Sequence, residues 1–195
     1  LAGKDDIRRD LLNERRRRAS EGYGSPAAVW TRLEGLPCWP QARSVAAYLA
    51  TAGEVSLDGL IESLLRAGRT VWLPRFSRAV GQYEMVRTTS LSDGLVPGAF
   101  GIREPRAVLA AVPAEELPDR GVLWLVPGVG FDPAGHRLGR GRGYYDRLLR
   151  GARGARVGIA WDWQVVDEVP HADHDEPVQW IVTDSRTIAC GGPAA

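Results

Sequence analysis

VLWLVPGVGFDPAGHRLGRGRGYYDRLLR, residues 122–150, decides the fold class, because an apolar run, a glycine-rich loop and the opening of a helix follow one another without a break. Val122 to Val126 reads as a buried strand ending at Pro127-Gly128, and Tyr144 to Arg150 reads as the first turns of a helix. The loop between them opens a helix N-terminus, where unpaired N–H groups and the positive end of the macrodipole favour an anion. Gly139, Gly141 and Gly143 let the backbone approach that anion without Cβ interference, and Arg140 and Arg142 add fixed positive charge. Asp146, in the first helical turn, would repel a bare phosphate but can reach it through bound Mg²⁺, which prefers carboxylate, water and phosphate oxygens. An ordinary turn with solvated arginines is the bland alternative. The arginines, strand, helix and Asp146 together favour polyphosphate with magnesium.

Outward from this stretch the elements alternate. Lys4 to Ala19 carries Ile7, Leu11 and Leu12 on one helical face with arginines around the rest, and Ser25-Pro26 starts a second helix through Trp30 and Leu33. Ser44 to Leu49 reads as a strand, Leu57 to Ala67 as a helix capped by Ser56 and stopped by Gly68, and Thr70 to Leu73 as a strand ended by Pro74. Val80 to Arg87 reads as a strand near an edge, while residues 88–119, rich in Pro and Gly, give no clear element. Val157 to Ala160 and Trp180 to Val182 supply later strands. This alternation predicts an α/β fold of three layers, a mostly parallel central sheet with helices on both faces and ligands beyond the carboxyl ends of the strands. Glu54, the glycine loop and Trp161-Asp162-Trp163 would then share one edge.

Composition narrows the function classes. The 195 residues, 44% hydrophobic and 25% charged, suit one domain over 1–190 with a mobile tail at 191–195. No apolar run reaches the roughly 18 to 20 residues that cross a bilayer, and Lys4, Asp5 and Asp6 stand where a secretory signal would be apolar, so no membrane association and a cytoplasmic location are expected. Cys38 and Cys190, the only cysteines, make neither a disulfide framework nor a zinc quartet. A net charge of +1 argues against a nucleic-acid partner, although Arg137 to Arg156 forms a basic strip and Asp162 to Asp184 an acidic one. Lys4 is the only lysine in an arginine-rich chain, a weak pointer to a retained role.

The segment VPGVGFDPAGHRLGRGRGYYDRLL resembles the signature of the 5-formyltetrahydrofolate cyclo-ligase family, also called 5,10-methenyltetrahydrofolate synthetases. The resemblance extends through Lys4-Asp5-Asp6-Ile7-Arg8, Tyr48-Leu49 with Glu54-Val55, Leu73-Pro74-Arg75, Met85, Gly101-Ile102-Arg103-Glu104-Pro105, His174-Asp175 and Ile181-Val182-Thr183-Asp184. It implies a cyclo-ligase fold, similar to NagB, RpiA and CoA-transferases. It also implies an ATP- and Mg²⁺-dependent reaction in which the formyl oxygen of 5-formyltetrahydrofolate attacks the γ-phosphate, N10 closes the ring, and ADP and phosphate leave. Phosphoryl transfer of this kind needs alignment and charge neutralisation and no protein nucleophile.

By the same resemblance Lys4 and Arg8 contact ATP phosphates, and Arg137, Leu138, Gly139, Arg140, Gly141, Arg142, Gly143, Tyr144 and Tyr145 wrap the nucleotide. Arg140, Arg142 and Tyr144 take the catalytic positions, Asp146 and Asp175 hold magnesium, and Leu49 and Glu54 face the pterin. Met85, Phe131 and Trp163 are further candidates to pack on the pterin ring, with plain core packing the competing reading. The expected partner is one small molecule, 5-formyltetrahydrofolate or its polyglutamates, acting on a monomer. Ser56-Leu57 stand where the family often has Asp-Thr, which admits a relative with another acceptor, and a noncatalytic RNA-binding module is a third reading. His171 to Asp175 could be read as a transition-metal cluster, but no third nitrogen or sulfur ligand has suitable spacing, and oxygen ligation of magnesium by Asp175 is preferred.

Overall fold

The computed structural model describes residues 3–98, 101–117, 121–172 and 175–191. Helices α1 (Lys4–Arg18) and α2 (Pro26–Glu34) come first. Strand β1 (Ser44–Ala46) leads through α3 (Asp58–Arg66) to β2 (Thr70–Ser77), which turns back as β3 (Gln82–Thr88). A hairpin of β4 (Leu95–Pro97) and β5 (Arg103–Pro105) precedes the short β6 (Ala111–Val112). Then follow β7 (Val122–Pro127), a second small hairpin of β8 (Gly130–Phe131) and β9 (Arg137–Leu138), and α4 (Tyr144–Leu149). Strands β10 (Ala155–Ile159), β11 (Trp180–Val182) and β12 (Thr187–Ala189) complete the order.

Eight of these strands form one sheet in the order β12-β11-β10-β7-β1-β2-β3-β6. From β11 to β2 the neighbours are parallel, and the antiparallel pairs lie at the two edges. The central strands β1 and β7 are buried at almost every position because both faces are covered. Val45, Leu123, Leu125 and Val71 pack under Val29 and Leu33 of α2 and Leu60, Ile61 and Leu64 of α3. Ala46, Trp124, Val126 and Trp72 face the other way, toward Leu148 and Leu149 of α4. Helix α1 instead lays Leu11 over Val129, Leu138 and Val169, on the loops beyond the sheet. This is the expected three-layer α/β arrangement. No helix among the described residues is long and apolar enough to cross a membrane.

Local differences from the expected elements have physical causes. Strand β1 stops at Ala46, three residues before Leu49; Ala47 makes a last bond to the Trp72 carbonyl at 2.9 Å, and the chain then turns so that the Tyr48 hydroxyl donates to the Val55 carbonyl at 2.7 Å. Strand β2 does not end at Pro74 but continues to Ser77, because beyond Trp72 it pairs with β3 alone and a residue lacking an N–H is tolerated beside an open edge. Ser56 caps α3 from one position earlier than a standard cap, its hydroxyl accepting the Asp58 N–H at 3.4 Å. Helix α4 ends at Leu149, with Arg150 already extended. Residues 88–119 contain the β4–β5 hairpin, β6 and a 3-10 turn at Ala114–Glu116. Of the expected mobile tail, residues 192–195 lie outside the described residues.

The connections diverge at one place. From β1 the chain moves outward to β2 and β3, then returns to the opposite side of β1 to make β7, β10 and β11. A crevice forms beyond the carboxyl ends of strands where the order reverses in this way, since neighbouring loops lead off in opposite directions.

Candidate active site

That crevice is a cleft of about 650 Å³. The loop after β1 supplies Tyr48, Leu49, Thr51 and Glu54; α1 supplies Lys4 and Arg8; residues 127–129 and 137–146 form a long wall; Asp175 closes one flank. Pro74, Tyr83 and Ile102 to Glu104 close the other. Every residue expected to wrap the nucleotide lines this space: Lys4, Arg8, Arg137, Leu138, Gly139, Arg140, Gly141, Arg142, Gly143, Tyr144 and Tyr145. So do Leu49, Glu54, Asp146 and Asp175.

On the glycine-loop side, charge is balanced pair by pair. Lys4 Nζ lies 2.5 Å from Asp175 Oδ2, which also accepts the Ala172 N–H at 2.9 Å. Arg137 Nη2 lies 2.5 Å from Asp146 Oδ1, with its guanidinium over the Tyr145 ring at 5.6 Å. Arg8 ties α1 to the loop by donating from Nε to the Gly139 carbonyl at 2.8 Å, and also pairs with Asp5. Gly141 and Gly143 have φ of 86° and 63°, the left-handed region that side chains resist. A Cβ at Gly139 would stand 3.0 Å from Arg137 Nη1, so a larger residue there would press on the Arg137 side chain. With α4 only six residues long, its dipole is weaker than a long helix would give, so anion attraction rests on the cations and loop amides.

Glu54 sits where the two walls meet. Its Oε2 accepts the Thr51 N–H at 2.9 Å, and its Oε1 lies 3.4 Å from Arg140 Nη2 and 3.7 Å from Arg15 Nη1. Arg140 Nη2 also donates to Thr51 Oγ1 at 2.6 Å, which joins the glycine loop to the loop after β1. Arg15 was expected on the solvated face of the first helix, yet its side chain is 6% exposed and donates from Nη2 to the Gly128 carbonyl at 3.1 Å. Burial pulls its pKa below the ordinary arginine value, with Glu54 opposing the shift. The signal was in the spacing, since Arg15 continues the Ile7–Leu11 stripe one turn on. Gly53 makes room, because a Cβ at that position would meet Arg15 Cγ at 2.6 Å.

Three expected pterin contacts are corrected. Met85 is 1% exposed and Phe131 fully buried, both in the core cluster under α4 and neither lining the cleft. Phe131 fills the space between two glycines; a Cβ on Gly128 or Gly158 would come within 2.7 or 2.6 Å of its ring. Trp163 packs against the α1 core with Arg18 5.6 Å from its ring centroid, also outside the lining. The strand β3 residue that does reach the cleft is Tyr83, on the same face as Met85 and two positions closer to the strand's start. Tyr83 meets Tyr144 edge-on at 5.7 Å, and burial pushes its hydroxyl up to about 12. Burial raises Tyr48 and Tyr145 as well, so all three present neutral hydroxyls at ordinary pH.

Asp146 and Asp175 are carboxylates, the ligand type that a hard cation prefers, but Arg137 and Lys4 engage them here, and no group of three His, Cys, Asp or Glu able to hold a metal occurs among the described residues. Of the His171–Asp175 cluster, Asp173 and His174 lie outside the described residues. His171 stacks on His136 at 3.6 Å, and His136 Nδ1 lies 2.9 Å from the buried Asp132. Ser56 and Leu57 do not line the cleft; the Ser56 carbonyl accepts the Trp30 indole N–H and Leu57 is in the core.

Comparison with known proteins shows the family. The model of the 5-formyltetrahydrofolate cyclo-ligase family matches residues 1–184. A 5-formyltetrahydrofolate cyclo-ligase of Mycolicibacterium smegmatis is 33% identical over 192 residues, covering 95% of each chain. One from Escherichia coli is 32% identical over 184 residues, covering 90% of this chain and 98% of its own. The solved structure of Aquifex aeolicus 5,10-methenyltetrahydrofolate synthetase superposes with a TM-score of 0.77 at 33% identity, covering 98% of this chain and 95% of that one. A glycine loop, its arginines and an acid after β1 thus converge in a chain that belongs to the 5-formyltetrahydrofolate cyclo-ligase family.

Proposed function

We propose that the protein catalyses the ATP- and Mg²⁺-dependent conversion of 5-formyltetrahydrofolate to 5,10-methenyltetrahydrofolate, with release of ADP and phosphate. The observation that carries this reading is the meeting of two chemistries in one cleft: the cationic loop from Arg137 to Gly143 and the Glu54 carboxylate, joined through Arg140. Named relatives of the same family support the choice of reaction.

In this reading Lys4, Arg8 and the 137–145 loop hold the nucleotide's phosphates. Arg140 and Arg142 neutralise charge on the transferred phosphoryl group, a role that fixed cations perform without reorganising when they are already aimed. Tyr144 orients the nucleotide beside them. Leu49 and Glu54 face the pterin, and the carboxylate accepts two N–H bonds from its amino-pyrimidine edge. Asp146 and Asp175 would hold magnesium, which supplies further neutralisation of phosphate charge when bound. Enclosure matters as much as charge, because an activated formyl group exposed to water would hydrolyse.

The proposal takes residues 1–190 as one domain, supported by a single sheet with strands from both halves of the chain. It includes a monomer and a cytoplasmic location. Purified protein given ATP, Mg²⁺ and 5-formyltetrahydrofolate should develop the near-ultraviolet absorbance of the methenyl product. No signal at high enzyme concentration overturns the reading.

A further inference from the structure

Six cations line the cleft among the described residues, and five of them, Lys4, Arg8, Arg137, Arg140 and Arg142, come from α1 or the phosphate-loop wall. Arg103 is the exception. It lies on β5 of a hairpin whose strand packs against β2, so it enters from the flank opposite Lys4 and Asp175. Phosphate neutralisation does not account for a cation there.

Its present partner is Asp58, at the start of α3. Arg103 Nη2 donates to Asp58 Oδ1 at 2.9 Å and Oδ2 at 2.8 Å, so one nitrogen serves both carboxylate oxygens. No hydrogen bond to the other guanidinium nitrogens is made among the described residues. The side chains are 47% and 36% exposed, and a pair that open to water is held weakly enough to exchange one carboxylate for another. Neighbouring charges do not compete for this role. Arg75 spends its Nη1 on the Arg106 and Leu109 carbonyls, which fixes the chain after the hairpin, and Glu104 is buried beside Arg103 as an acid.

We propose that Arg103 is the docking point for a carboxylate of the substrate's glutamyl tail, with Asp58 holding the guanidinium until that carboxylate arrives. This rests on the folate reading of the cleft. If the pterin faces Glu54 in the cleft's interior, the benzoyl-glutamate end extends toward the mouth, where a flexible dicarboxylate meets a half-exposed arginine. The guanidinium can then receive the tail through two nitrogens, a better fork than the single nitrogen given to Asp58. Glutamyl recognition is thus separate from the atoms that react.

The test compares 5-formyltetrahydrofolate with 5-formyltetrahydropteroate, which lacks the glutamate, in the wild-type protein, Arg103→Ala and Asp58→Asn. In the wild type the pteroate KM should exceed the folate KM by about tenfold, the size expected for one charge-assisted contact. Arg103→Ala should bring the ratio close to one by raising the folate KM, while the ATP KM stays within about twofold. Asp58→Asn, which releases the guanidinium and leaves the cleft lining intact, should lower the folate KM by about threefold and widen the ratio. Equal effects of Arg103→Ala on both compounds, or a rise in folate KM with Asp58→Asn, would overturn the inference while the cyclisation reading stands. Failure of the wild type to turn over either compound would overturn both.

Discussion

Arg15 Nη1 and Glu54 Oε1 stand 3.7 Å apart in a seam between the first helix and the loop after β1, with both side chains largely buried. The Arg15 Nε and Nη1 atoms have no hydrogen-bond partner, so the guanidinium is held by one backbone carbonyl and by the field of the carboxylate. Replacing it should unsettle Glu54 before it unsettles the glycine loop. Arg15→Met is expected to raise the folate KM about tenfold, to leave the ATP KM within about twofold, and to cost about 2 kcal/mol of stability, below the usual loss for a broken buried pair because Arg140 still faces Glu54. Steady-state kinetics and urea titration check both halves. Arg15→Lys should recover part of the KM loss, which a purely structural arginine would not require.

Asp146 and Asp175 lie against Arg137 and Lys4 on the glycine-loop side of the cleft. Asp146→Asn and Asp175→Asn should each raise the magnesium concentration for half-maximal rate by about tenfold, since a neutral amide is a poorer ligand for a hard cation. Glu54→Gln should instead raise the folate KM. Matching effects of Glu54→Gln on ATP and folate binding would contradict this division of the cleft.

Arg142 is exposed in the glycine loop. Arg142→Ala should lower kcat by about a hundredfold if its charge is met mainly in the transition state, and should shift Tm by no more than about two degrees. A thermal melt showing a large loss would identify a structural arginine.

Gly158 stands against Phe131 so closely that a methyl group has nowhere to go. Gly158→Ala should cost about 2 to 3 kcal/mol through overpacking. Phe131→Leu should likewise reduce stability while leaving the folate KM within about twofold, the result expected of a core residue beneath the cleft.

Stability should also fall in alkali. Tyr48, Tyr83 and Tyr145 are all raised by burial, Tyr83 to about 12 from an ordinary 10, so the unfolded chain loses these protons first. Their contribution is complete below pH 10 and disappears as the pH rises through the folded values. Denaturant titrations between pH 8 and 11 should show the decline, and Tyr83→Phe should flatten it.

The strand, loop and helix of residues 122–150 are legible because the chemistry is local: an apolar run, alternating glycines and the first turns of a helix lie within one window. Alternation of the elements puts Glu54 at the ligand edge, but its role and that of Asp175 come only from the family resemblance, since solvated loop acids look the same in sequence. Arg15 was hidden by its own abundance; in a helix ending Glu14-Arg15-Arg16-Arg17-Arg18, nothing in the charge pattern marks the one that turns inward. Met85 enters only through the family resemblance, and Tyr83 shares its face of β3, where periodicity gives the face without giving the depth. The β4–β5 hairpin was beyond reach for another reason: strands of three residues are shorter than any window over which alternation can be counted.

The return of the chain to the far side of β1 divides the cleft's walls between the two parts of the polypeptide. Arg8 and Glu54 lie before the Ser90–Gly94 bend, while the glycine loop and Asp175 lie after it. A cut within that exposed bend would therefore yield fragments that are each inert, and turnover would return only on their docking. Catalysis would then report reassembly of the protein from its pieces.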